Sequence, residues 1–205
     1  MKRAAHMKKP LLSLLCCLLA VACSEPQPWY NTEVTGALPD LAFRLTGESG
    51  ETVDAQAFRG QTTLLFFGFT NCPGACPATL GRLAVALDQM GDAAQQVQVL
   101  LVSVDPARDT PEAMREYTAR FGPWLHGLTG PEADLRALNQ AYKVDFSALE
   151  AGDDLDYDVI HSNAVFAFDA RGRCRLLIRD TANLDAVVSD LQRLVAESDP
   201  AGTRG

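Results

Sequence analysis

Two cysteines with three residues between them carry the most chemical information in this chain. They lie in Phe67-Gly68-Phe69-Thr70-Asn71-Cys72-Pro73-Gly74-Ala75-Cys76-Pro77, after the apolar run Thr63 to Thr70 and before an apolar stripe at helical spacing. At a strand–helix junction, open N–H groups and the helix dipole favour thiolate over thiol. Thiolate is the form that attacks disulfides and binds soft metals. Pro77 suits a first helical turn, where its missing N–H costs nothing. The thioredoxin-type redox motif has two residues between its cysteines; the longer loop here would let both sulfurs face one ion. The plainer alternative is a structural disulfide or two buried thiols. Two prolines and a glycine bracketing the pair argue against it.

Two thiolates need a third, usually nitrogen, ligand to hold copper. Beyond the N-terminal leader the chain offers two histidines, His126 in a predicted loop and His161 just before a predicted strand. A lone histidine is more often structural than a ligand, and position alone does not choose between these two. Soft sulfur plus imidazole selects copper over hard metals. Zinc accepts the same donors but wants a fourth. Cys174 lies between Arg173 and Arg175, which would lower its pKa if it were exposed and suit it to a mixed disulfide or dimer link; an ordinary strand thiol is the plainer reading. Asp105-Pro106 reads as a turn that stops a strand. Arg108 and Asp109 read as a local ion pair or docking point, of little worth to stability at a surface.

The elements that must position these residues follow from periodicity. Thr63 to Thr70 is a continuous apolar run, suited to a strand covered on both faces. Pro77 to Met90 carries Leu80, Leu83, Ala84 and Leu87 on one helical stripe. Val97 to Val104 is strand-like, and Thr110-Pro111-Glu112 is a cap followed by proline in the first turn of the next helix. Pro131 opens a further helix. Strands at 163–168 and 175–178 flank the turn Asp169 to Gly172, and a last helix covers 185–195. Phe43 and Leu45 begin a short strand before a turn at Gly47 to Gly50. This order predicts an α/β, thioredoxin-like fold: a central, mostly parallel sheet flanked by helices, with a C-terminal β-hairpin and helix.

The N-terminus has its own logic. Lys2, Arg3, Lys8 and Lys9 precede the apolar stretch Leu11 to Ala22, the pattern of a secretory signal. That stretch is short of the ~20 residues a membrane span needs. Leu19-Ala20-Val21-Ala22-Cys23 resembles a bacterial lipoprotein processing site, which makes Cys23 a candidate for lipidation; Ala20 stands where leucine is usual. Ordinary cleavage or an uncleaved anchor are the alternatives, and each exports the domain. The expected organisation is a signal or anchor at 1–23, a tether at 24–38 stiffened by Pro26 and Pro28, a domain at 39–197 and a tail at 198–205. The formal charge of −8 becomes about −12 without the leader, with 14 basic residues against 26 acidic. Nucleic acid is thus excluded as a partner. Cys72, Cys76 and Cys174 alone remain beyond the leader, too few for a disulfide scaffold.

Three stretches together are similar to the SCO/SenC family: Phe67 to Leu80, Val102 to Glu112, and Tyr157-Asp-Val-Ile-His-Ser162. They occur in the family's order and spacing, and the resemblance spans about residues 38 to 195. It implies a thioredoxin-like fold, copper as Cu(I) or Cu(II) bound by Cys72, Cys76 and His161, and a redox-active Cys72–Cys76 pair. It also implies a client, the dinuclear copper site of cytochrome c oxidase subunit II or another copper site, and an upstream copper donor. The protein would face the periplasm from a bacterial membrane. Three positions depart from the family pattern. Gly74 and Ile160 stand where aspartates are usual, and Asn71 where histidine is frequent; the two carboxylates would tune a nearby metal. The competing reading is a thiol–disulfide oxidoreductase, which would need the cysteines and not His161. A peroxide-reducing relative would need a separate resolving cysteine, which the adjacent pair fits poorly.

Overall fold

The computed structural model describes residues 27–144, 147–148, 159–160 and 163–198. Its elements in chain order are β1 Thr32–Glu33, β2 Arg44–Gly47, β3 Thr52–Asp54, β4 Thr62–Gly68, α1 Ala75–Met90, β5 Val97–Ser103, α2 Pro111–Thr118, β6 Leu125–Thr129, α3 Glu132–Ala141, β7 Ser147–Ala148, β8 Val159–Ile160, β9 Val165–Phe168, β10 Cys174–Ile178 and α4 Leu184–Ser198. Eight strands form one sheet in the order β1-β10-β9-β4-β5-β6-β2-β3, and β7 pairs with β8 separately.

The centre follows from hydrophobicity. Every residue of β4 and β5 is buried, because both strands are apolar on successive residues and need cover on both faces. They pair in parallel from Thr62 opposite Val97 to Gly68 opposite Ser103, and α1 supplies the crossover that parallel neighbours require. α2 does the same between β5 and β6. Thr110 caps α2 as expected: its hydroxyl accepts from the Ala113 N–H at 3.3 Å, with proline at the start of the helix.

The expected mostly parallel sheet is corrected. Only β4–β5 and β5–β6 are parallel; the remaining pairings of the large sheet are antiparallel. Hairpins explain much of this, since a tight turn can join only antiparallel neighbours. Gly50 N–H donates to the Gly47 carbonyl at 3.0 Å between β2 and β3, and Gly172 N–H to the Asp169 carbonyl at 2.6 Å between β9 and β10. Gly172 takes φ +72, which favours glycine.

The segment read as a tether also differs. From Trp29 onward it lies on the domain. β1 pairs with β10, and the carboxylate of Asp190, 2% exposed, accepts the backbone N–H groups of Tyr30 at 3.1 Å and Asn31 at 2.7 Å. A buried carboxylate needs such donors. The Trp29 ring lies 3.8 Å from the Arg193 guanidinium carbon and 5.4 Å from that of Arg175, and Arg193 donates to the Gln27 carbonyl. This contact lies towards the end of α4 where Ala170 N–H meets the Ser198 hydroxyl and Gly60, just before β4, donates to the Ala170 carbonyl. The thiol loop follows the opposite end of β4.

Candidate metal centre

β4 ends at Gly68, whose carbonyl accepts the Val104 N–H at 2.9 Å and so ties the loops after β4 and β5 side by side. Cys72 N–H donates to the Phe69 carbonyl at 3.3 Å, closing the turn before α1. Gly74 stands at the helix N-cap with no side chain to accept from the open N–H groups of the first turn. Cys72 takes that place: its Sγ accepts the Cys76 N–H at 3.2 Å. The sequence puts both cysteines between strand and helix, and the structure brings them within hydrogen-bond reach of each other.

The two thiols are not equivalent. Cys76 lies inside α1 and is fully buried, while Cys72 is 9% exposed. Burial pushes the Cys76 thiol far above its ordinary pKa, the hydrogen bond to the Cys72 thiol adds to this, and a bond with the Phe69 backbone works against it. The expected thiolate at the helix start is therefore corrected for Cys76, because desolvation outweighs the helix end. Room for its sulfur depends on a residue that the motif contained without its role being legible. A Cβ built on Gly68 would meet Cys76 Sγ and Leu101 Cδ1 at 3.0 Å and Phe66 Cε1 at 3.2 Å. At Gly74, by contrast, a Cβ would meet nothing within 4 Å.

The second motif also folds differently from its expected ion pair. Arg108 pairs with Asp105, not Asp109. Asp109 is fully buried; its carboxylate accepts from Thr70 N–H at 3.1 Å, Thr70 O–H at 2.6 Å and Ser103 O–H at 2.6 Å. Burial raises its pKa, and the bonds from Ser103 and Thr70 pull it back. Tyr117 of α2 is a further neighbour. Its buried hydroxyl has no hydrogen-bond partner among the described residues, and its pKa is raised by burial first and by the nearness of Cys76 and Cys72 next.

The histidines separate. His126 is not in a loop but in β6, opposite Leu100, with its ring 5.9 Å from Phe58. Leu100 in turn faces Leu65, so His126 lies well below the thiol end of the sheet. Burial lowers its pKa. His161 lies outside the described residues, directly after β8. So does Cys23. Among the described residues, no three His, Cys, Asp or Glu side chains converge as a metal cage. Cys174 is buried in β10, and its thiol is pushed up to about 12 by burial and then by Asp40; the flanking arginines do not activate it.

A sequence model of the SCO1/SenC family matches residues 33–196. The chain belongs to the SCO1/SenC family. Its relatives include a SCO2-like protein of Rickettsia prowazekii, 32% identical over 132 residues, which cover 64% of each chain. The chain thus spans somewhat under two thirds of that relative's length. Among solved structures, Arabidopsis thaliana ScoI with copper bound is 30% identical with a TM-score of 0.70, over 77% of this chain and 98% of that one. Apo Sco1 from Thermus thermophilus is 35% identical with a TM-score of 0.72, over 83% and 99%. In this SCO1/SenC chain the donor set fits copper chemically: two soft sulfurs on one turn, with Cys76 shielded from solvent.

Proposed function

We propose that this SCO1/SenC protein is a periplasmic copper metallochaperone that carries copper on Cys72, Cys76 and His161 and serves assembly of the copper site of cytochrome c oxidase, held at the membrane through its N-terminus, with Cys23 as the lipidated residue. The observation that carries it is the pair of neighbouring cysteines at the head of α1, with Cys72 Sγ accepting the Cys76 N–H at 3.2 Å, in a fold shared with a copper-bound ScoI. The thiols would supply soft, anionic donors once their protons leave, so loading is pH-dependent. Cys76, shielded and helix-borne, fixes the pocket; Cys72, nearer the surface, is where copper enters or leaves.

The test is anaerobic copper titration against a competing chelator. One equivalent held tightly by the parent, weakened by His161→Ala and abolished by Cys72→Ser/Cys76→Ser, is the expected result. Weak binding indifferent to His161 would overturn it. That outcome would favour the second reading, a reductase that keeps client cysteines reduced. There Cys72 attacks the client disulfide, Cys76 displaces the client from the mixed disulfide, and the client leaves with two thiols as Cys72–Cys76 is oxidised.

A further inference from the structure

We propose that Asp109 is a positioning residue for the thiol loop, acting through Thr70. The carboxylate is fully buried and lies outside the cysteine motif, yet one of its oxygens takes both the N–H (3.1 Å) and the O–H (2.6 Å) of Thr70, two residues before Cys72. Its other oxygen takes the Ser103 O–H at 2.6 Å, at the end of β5. Ser103 in turn accepts the Asp105 N–H at 3.0 Å, so its own proton is committed to Asp109. Each bond to Asp109 comes from a neutral donor, and the one cation beside it in sequence, Arg108, pairs with Asp105. An acid kept in the interior on neutral donors alone is expensive unless all its bonds are made. The arrangement therefore pins three pieces together: the loop after β4, the end of β5 and the entry to α2. Thr70 lies inside the turn from Phe69 to Cys72, and that turn sets Cys72 Sγ on the Cys76 N–H. Released from Asp109, the loop loses the bonds that hold Cys76 covered.

This inference concerns the same thiols as the copper reading but is tested without copper. Peptide-resolved alkylation of the intact, reduced protein with iodoacetamide, under native conditions, reads the exposure of Cys76. Cys174, buried elsewhere in the sheet, reports global unfolding in the same sample. Asp109→Ala is expected to speed alkylation of Cys76 by about tenfold or more, the size of one lost charge-assisted hydrogen bond, with Cys174 unchanged. Asp109→Asn keeps an acceptor for Thr70 and should return the rate to within about threefold of the parent. Thr70→Val should raise the rate by itself and add little on top of Asp109→Ala, because both break the same link. Equal acceleration at Cys76 and Cys174 would overturn the proposal, as would multiplicative effects of the two substitutions or a parent-like rate in Asp109→Ala. Should Asp109→Ala not fold, Thr70→Val decides alone: a parent-like Cys76 rate overturns the proposal and a selective rise supports it. A copper titration of the same variants then separates the two ideas, since loop positioning can hold even where copper binding fails.

Discussion

Cys76 and Cys174 are both buried thiols in one hydrophobic core, yet their surroundings give them opposite prospects. Cys174 lies in β10 beside a register irregularity of the β9–β10 pair, with Asp40 as the carboxylate that reaches it electrostatically. Among the described residues nothing there offers a second sulfur. Cys76 lies at the end of two parallel strands, where α1 begins, a second sulfur accepts its N–H, and buried polar groups from the β5 side stand nearby. Burial raises both pKa values, so burial alone does not distinguish structure from function. What distinguishes them is convergence: a strand end, a helix start and a neighbouring loop deliver donors to one point.

The comparison can be broken most severely by deleting sulfur. Cys72→Ser/Cys76→Ser should remove tight copper binding altogether, whereas Cys174→Ser should leave the stoichiometry at one while lowering the melting temperature, because a hydroxyl replaces a thiol in apolar surroundings. Equal loss of copper in both would dissolve the distinction. Next in size is Gly68→Ala. The added methyl must push Cys76 Sγ, Leu101 or Phe66, and overpacking of this kind costs about 1–3 kcal/mol; denaturant unfolding should show that loss, together with weaker copper retention. A parent-like result would mean that the sulfur has more room than the geometry allows it.

Alkaline titration gives a smaller effect that both thiols share. Their folded pKa values lie above the ordinary 9.0. Above pH 9 the unfolded chain releases thiol protons that the folded chain keeps, so stability present below that pH falls as pH rises towards 12 and beyond. The fall should shrink in Cys174→Ala and in Cys76→Ala separately; a curve unmoved by either substitution would place the effect elsewhere. Gly74→Asp refines the comparison further. Open space and a helix N-cap receive the new carboxylate, whose effect on folding should stay within a few tenths of a kcal/mol, while copper affinity rises. His126 supplies the smallest effect. Its folded pKa lies below the ordinary 6.5, so its contribution is present above that pH and fades on acidification, and His126→Gln should flatten the stability profile between pH 6.5 and 5.

Apolar continuity made β4 and β5 legible, and a threonine–proline pair made the start of α2 legible, because each is a local rule. β6 was not, since Leu125-His126-Gly127-Leu128-Thr129 reads as a loop until β5 provides a partner. The edge strands Thr32–Glu33 and Thr52–Asp54 are too short and polar to show a period. The cysteine pair was legible from spacing. Asp109 was misread as a surface charge, because nothing local says that Thr70 and Ser103 will turn inward to meet it. Gly68 was visible as a letter of the motif, but its reason lies in a sulfur eight residues away.

The docking of Trp29 between Arg193 and Arg175 has a directional consequence. It fixes the point at which the chain joins the domain at the outer edge of the sheet, where β1 lies on β10, three strands away from β4 and the thiol loop that follows it. A pull applied through the segment before Gln27 is thus taken up at that edge, by β1 and the two arginines, and not by the central strand from which the sulfur-bearing loop springs.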